Sequence, residues 1–207
     1  LADNYHMTRF MSRAEVEGIV CSGECHGRQH TYALLDERVP PTPELTKEEA
    51  LARLATAYFR SHAPATLQDF SWWSGLPLTE ARQSISLIEP KLMSEQWNSQ
   101  TWYIHDSCRT SGKATGNLHL LPPYDEYLIG YKDRTDVLPK EDYSKAFTNN
   151  GLFFPVLLYK GHVVGNWNKA SKKKEIFPEH SLFRKDICLK EELLNQAKEK
   201  YVRFLIH

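Results

Sequence analysis

The spacing of apolar residues along this chain changes several times, and each change predicts an element. Over residues 9–20, Phe10, Met11, Val16, Ile19 and Val20 approximate helical spacing, with Gly18 near the end as a stop. Residues 19–35 then set two short apolar runs around a polar, Gly-flanked loop, which predicts a hairpin with a longer turn. Pro40, Pro41 and Pro43 break the pattern, because proline lacks an amide donor and restricts the residue before it. Beyond them Thr46 and Glu49 fit a capping box, and Ala50, Leu51, Leu54, Ala55, Tyr58 and Phe59 form an apolar stripe, predicting a helix over 47–61. Thr66 caps a second helix that carries Leu67, Phe70 and Trp73 and ends near Gly75. Pro77 and Thr79 open a third, with Ala81, Ile85, Leu87 and Ile88 as its stripe and Pro90 as its limit. Residues 92–104 read as a hairpin turned at Asn98-Ser99.

Three helices followed by a hairpin is the element order of a winged helix-turn-helix, placed by this pattern at residues 44–106. The helix and hairpin of residues 1–40 match the tail of a preceding winged helix whose opening helices are missing. Ser107 to Asn117 is rich in Ser, Thr and Gly and reads as a linker. Residues 118–207 change character. A short strand ends at Pro122 and Pro123, two apolar runs turn at Lys160-Gly161, and Leu189, Leu193, Leu194, Ala197, Tyr201, Phe204 and Leu205 give an amphipathic terminal helix. The expected fold class is α+β: winged helix-turn-helix units followed by a small β-barrel or sheet domain with a C-terminal helix.

Composition narrows the class without naming a partner. The 207 residues hold 26 basic and 26 acidic side chains, so the whole chain lacks the basic bias of many nucleic-acid binders. The balance is nonetheless uneven: residues 1–40 carry 4 basic and 6 acidic groups, residues 41–106 carry 5 and 8, and residues 107–207 carry 17 and 12. Lys172, Lys173 and Lys174 form the densest basic run and read as a solvated loop. No apolar stretch approaches the roughly 20 residues of a membrane helix. Four scattered cysteines make no disulfide framework and imply a reducing, cytoplasmic compartment. The start, Leu-Ala-Asp-Asn-Tyr-His, has neither an initiator Met nor an export signal, and the expectation is a piece of a longer protein.

Five stretches, in order, resemble the AlkZ/YcaQ-like winged-helix proteins, bacterial DNA glycosylases and their relatives. They are residues 17–23 (Glu-Gly-Ile-Val-Cys-Ser-Gly), residues 32–37 (Tyr-Ala-Leu-Leu-Asp-Glu), and residues 64–76 from Pro-Ala-Thr through Asp-Phe-Ser-Trp-Trp-Ser-Gly-Leu. The last two are residues 120–134 (Leu-Leu-Pro-Pro-Tyr-Asp-Glu-Tyr-Leu-Ile-Gly-Tyr-Lys-Asp-Arg) and residues 163–167 (Val-Val-Gly-Asn-Trp). The resemblance implies tandem winged helices on a β-rich C-terminal domain, duplex DNA as partner, and excision of alkylated or crosslinked bases. In that family a Gln-x-Gln or Gln-x-Asp motif in the first winged helix activates the attacking water. Neither motif occurs in these 207 residues, so no catalytic residue is assigned. The expectation is a DNA-gripping C-terminal part that needs its missing N-terminal winged-helix portion for chemistry. A non-enzymatic regulatory or scaffold module is the alternative.

On that reading Thr79, Arg82, Gln83 and Ser86 face outward from the recognition helix and suit base edges or phosphates. Arg28, Gln29 and His30 at the first hairpin tip, and Asn98, Ser99 and Gln100 at the second, are wing groups. In the cluster at 124–134, Tyr131, Lys132 and Arg134 suit a distorted strand, whereas Asp125 reads as structural; Asp133 has a structural reading as a partner of Arg134 or a turn cap. Trp73 reads as core and Trp72 as packing between units. Cys21, Cys25 and His26 supply three ligands without a second pair, so neither metal nor cofactor is expected. No nucleophile elbow points to a hydrolase.

Overall fold

The computed structural model describes residues 2–27, 29–108, 116–172 and 175–206. The chain divides into two compact units, Leu1–Thr46 and Lys47–His207. In the first, helix α1 (Ala2–Val16) leads to strand β1 (Val20–Ser22), which pairs antiparallel with β2 (Tyr32–Leu34), and a single turn of helix, α2 (Leu35–Arg38), follows at once. The expected helix over 9–20 therefore starts earlier and stops sooner. Gly18 adopts a φ of 69°, a left-handed conformation that ends a helix and sends Ile19 and Val20 towards the strand. The pattern gives no sign of α2, since four residues are too few to show a period.

The second unit opens with α3 (Lys47–Ser61), the two-residue strand β3 (Ala65–Thr66), α4 (Leu67–Ser74) and α5 (Leu78–Ile88). Strands β4 (Leu92–Trp97) and β5 (Gln100–His105) form the hairpin, and β3 adds to β5 to give a sheet of order β3-β5-β4. Asn98 and Ser99 both take positive φ, 49° and 60°, as a two-residue hairpin turn requires. Ala55, Tyr58, Phe59, Phe70, Ala81, Ile85 and Ile88 make one buried cluster on which Leu92 and Tyr103 of the hairpin pack. Leu87 does not join it, being 39% exposed; Ser84 takes the buried place, with its hydroxyl donating to the Glu80 carbonyl at 2.7 Å. The offset is geometric, because positions 81, 84, 85 and 88 share one helix face and 87 does not.

After β5 the chain forms β6 (Leu118–Leu121), the short helices α6 (Glu126–Ile129) and α7 (Tyr143–Ala146), strands β7 (Val156–Tyr159), β8 (His162–Lys172) and β9 (Glu175–Leu182), and helix α8 (Glu191–Ile206). The sheet is antiparallel and open, in the order β6-β7-β8-β9, so of the two expected forms, barrel or sheet, it is the sheet. Strand β9 was not foreseen, since Pro178 and the lysine run mask its apolar pattern. Lys172 ends β8; Lys173 and Lys174 lie outside the described residues.

Both faces of this sheet are covered, as the run Val156-Leu157-Leu158-Tyr159 illustrates. Leu157 and Tyr159 face a cluster with Leu118, Val164, Trp167 and Ala197 of α8, while Val156 and Leu158 face a cluster with Leu128, Leu138 and Ala146. A strand buried on both sides reads as a continuous apolar run rather than an alternation. The Trp167 indole donates to the Leu121 carbonyl at 2.7 Å and meets the Tyr201 ring edge-on at 4.8 Å, which lays α8 on the sheet as its apolar stripe predicts.

At Gly165 the strands crowd: a Cβ there would lie 2.2 Å from the Ser181 carbonyl oxygen. Gly165→Ala is expected to destabilise the protein by about 2–3 kcal/mol, read as a lower urea midpoint; an unchanged midpoint would show that β9 shifts freely.

Asp142 is buried and takes hydrogen bonds from Lys145 (2.8 Å) and Arg184 (3.2 and 3.1 Å). Burial works to raise its pKa, but those bonds and charges outweigh it, and the carboxyl titrates below its ordinary value. The unfolded chain therefore binds this proton more tightly. The resulting stability is full above the ordinary Asp pKa of about 3.9 and is lost as pH falls through the lower folded value. Asp142→Asn should lower stability at pH 7 and flatten its decline between pH 5 and pH 2, measured by urea midpoints across pH.

Candidate nucleic-acid interface

Helix α5 and the β4–β5 hairpin bring the first group of candidates together. With Ala81, Ser84, Ile85 and Ile88 turned into the core, Thr79, Arg82, Gln83 and Ser86 are left exposed on the opposite side. Arg82 and Ser86 line a groove of about 360 Å³ between α5 and the hairpin, whose other wall includes Ser94. Glu89 lines the same groove, so its charge is balanced rather than basic. Asn98, Ser99 and Gln100 are exposed at the hairpin tip.

The other candidates are placed differently. In the first unit Gln29 and His30 are exposed, and the Gln29 backbone exchanges hydrogen bonds with His26 at 3.0 and 3.1 Å; Arg28 lies outside the described residues. The Lys132 side chain is exposed. Tyr131 and Arg134 instead belong to the junction that binds α3 and α4 to the segment between β6 and β7 of the second sheet. The Tyr131 hydroxyl donates to the His62 carbonyl at 2.9 Å. Burial first, and the nearby Asp69 charge second, push its pKa up to about 12. Arg134 donates from Nε to the Leu128 carbonyl, and its guanidinium lies 5.8, 5.5 and 5.4 Å from the rings of Trp72, Phe147 and Phe153. Desolvation lowers its pKa. A guanidinium enclosed by rings and bonded to a carbonyl is occupied within the fold.

Asp69 organises this junction. Its Oδ2 accepts from the Thr66 amide at 2.9 Å and the Thr66 hydroxyl at 2.7 Å, while the Asp69 amide donates to Thr66 Oγ1 at 3.2 Å, a reciprocal capping box at the start of α4. Its Oδ1 accepts from the Lys132 amide at 2.9 Å. One carboxylate, 3% exposed, thus caps a helix and holds a segment 63 residues downstream.

Glu126 supports the same joint: Oε2 accepts from the Trp73 indole at 3.2 Å and is hydrogen-bonded to His62 Nε2 at 3.1 Å. The His62 ring stacks on Tyr58 at 4.7 Å, and the Tyr58 hydroxyl donates to the Gly130 carbonyl at 3.0 Å. Burial, followed by the charge of Asp69, lifts the Tyr58 phenol far above its ordinary range. Trp72, 55% exposed, donates from its indole to the Ile129 carbonyl at 3.2 Å. Asp125 is the N-cap of α6, accepting from the Tyr127 amide at 2.9 Å, and Asp133 accepts from the Thr135 amide and hydroxyl, which hold its pKa down. Both carry structural roles. Among the described residues no group of three or more His, Cys, Asp and Glu could hold a metal ion, and no helix is long and apolar enough to cross a membrane.

The junction is assembled from the third and fourth of the motif stretches, residues 64–76 and 120–134, with Tyr58 and His62 added. A family model described as DNA glycosylase AlkZ-like matches residues 2–204. The chain belongs to the AlkZ-like family. Its fold is that of the Streptomyces sahachiroi DNA glycosylase AlkZ, at a TM-score of 0.74 and 20% identity over 87% of this chain. The chain spans about half the length of that solved relative, 50% of it. No curated protein matches. In this AlkZ-like protein the roles of His62, Asp69, Glu126 and Trp73 as one network were not legible residue by residue; the Thr-x-x-Asp spacing at Thr66 was the local signal.

Asp69→Ala would leave the Thr66 and Lys132 amides unpaired. A loss of about 2–4 kcal/mol in unfolding free energy, measured by urea titration, is expected, against under about 1 kcal/mol for the exposed Gln83→Ala; equal small losses would refute the junction's importance.

Proposed function

We propose that this chain is the DNA-gripping part of an AlkZ-like glycosylase that removes alkylated or crosslinked bases. Residues 44–106 act as a winged helix-turn-helix, with α5 as recognition helix and the β4–β5 hairpin as wing. Residues 118–207 serve as a β-rich scaffold, and residues 1–40 complete a preceding winged helix. The observation that carries this reading is the exposed polar side of α5, with Thr79, Arg82, Gln83 and Ser86, beside a hairpin tip of Asn98, Ser99 and Gln100. These are groups that hydrogen-bond phosphates and base edges. Lys132 adds a free-standing cationic side chain, whereas Tyr131 and Arg134 contribute by holding the junction rigid. With no Gln-x-Gln or Gln-x-Asp among its residues, the chain grips DNA and leaves excision to groups elsewhere in the protein.

A second reading, a scaffold or regulatory winged helix that binds protein, draws on the acidic balance of residues 41–106 and on Glu89, which lines the same groove as Arg82. Duplex binding by the chain over a salt series separates the two. Several phosphate contacts give a slope of about 0.9 per phosphate, and Arg82→Ala should lower that slope by about one contact and weaken binding. Excision of an alkylated base is expected from the full-length protein only. Absence of duplex binding at low salt would favour the scaffold, and excision by these 207 residues would overturn the division of labour.

A further inference from the structure

The register of the β4–β5 hairpin puts its residues on two unlike faces. Leu92 and Tyr103 turn to the helical core. Met93, Glu95 and Trp97 of β4 lie opposite Ile104, Trp102 and Gln100 of β5, on the face turned away from it. On that outer face Trp97 is 55% exposed and Met93 48% exposed. The Trp97 ring is braced by the Trp102 ring, with centroids 5.9 Å apart at 54°. Trp102 continues inward as a wall of a cleft of about 280 Å³ that includes Tyr127 and Tyr131, and its buried indole N–H has no hydrogen-bond partner. The feature that calls for a ligand is a large ring left in water beside a tight turn and held in place by a second ring.

We propose that Trp97 and Trp102 form a stacking platform for an unstacked nucleobase, which adds recognition of distorted or single-stranded DNA to the duplex contacts of the hairpin tip. The inference rests on the DNA-binding reading above and deepens it. The ring face of Trp97 offers every base a flat partner, and Gln100 sits directly across the ladder from it as a donor and acceptor for a base edge. Glu95 on the same face repels phosphate, so the base and not the backbone is the group that docks. A second copy of the chain is a poorer occupant. A ribbon face about 20 Å long and about 10 Å wide falls well short of the roughly 800 Å² per partner that a stable dimer buries.

The test uses the 207-residue chain with an intact duplex and the same duplex carrying a single-nucleotide 2-aminopurine bulge. Wild-type protein should prefer the bulge by about 10-fold and quench its fluorescence. Trp97→Ala, at a half-exposed position, should keep the thermal midpoint, the affinity for intact duplex and the salt slope while losing both preference and quenching; Trp97→Phe should retain most of both. Wild-type preference in Trp97→Ala would overturn the platform and leave the DNA-binding reading intact, as would a dimer that this variant dissociates. Failure of wild-type protein to bind any of these DNAs overturns both.

Discussion

The carboxylate of Asp69 is the constraint on which the rest of the second unit depends. A buried charge is tolerated only where its lone pairs are met by donors, and here the donors come from two distant parts of the chain. Thr66 supplies an amide and a hydroxyl from one turn back, and Lys132 supplies an amide from the segment between β6 and β7. The same group that starts α4 therefore also joins the three-helix body to the four-stranded sheet. Around it, Glu126, His62, Trp73 and Tyr58 add hydrogen bonds and stacked rings, and Gly130 leaves no room for error: a Cβ there would fall 2.7 Å from the His62 ring.

On the DNA-gripping reading proposed above, a rigid joint of this kind matters because a nucleic acid held along a surface responds to how that surface is aimed. The groups suited to DNA, on α5 and at the hairpin tip, are exposed and individually weak, and their value lies in being carried by a packed body. Tyr131 and Arg134 show the other side of this division. Their polar atoms are spent on the His62 and Leu128 carbonyls, so their contribution is to position. Residues of a type that binds DNA are placed, in this fold, where they bind the protein.

Much of the fold was legible because it follows from local physics. The helix over 47–61, the Thr66 cap, the stop at Gly75, the Asn98-Ser99 turn and the Lys160-Gly161 turn all depend on residues within a few positions of one another, and each appears where the spacing predicts. Pattern reading failed where the deciding partner is remote. Strand β3 exists because β5 pairs with it, and β9 because β8 does. The candidate site divides along the same line. The outward set on α5 could be read from helical periodicity, whereas the inward turn of Arg134 could not, since nothing near it in sequence announces the rings of Trp72, Phe147 and Phe153.

The sequence by itself determined the long helices, the first two hairpins, the Thr66 cap, the turns and the family, since these rest on short-range sterics, hydrogen bonding and contiguous motifs. Only the tertiary structure decided that residues 64–76 and 120–134 are one joint rather than two motifs, that the second sheet is open, and that Tyr131 and Arg134 turn inward. The physical reason is that burial and partnership are properties of surfaces brought together from far apart. Asp69 and Lys132 stand 63 residues apart in the chain and 2.9 Å apart in the fold.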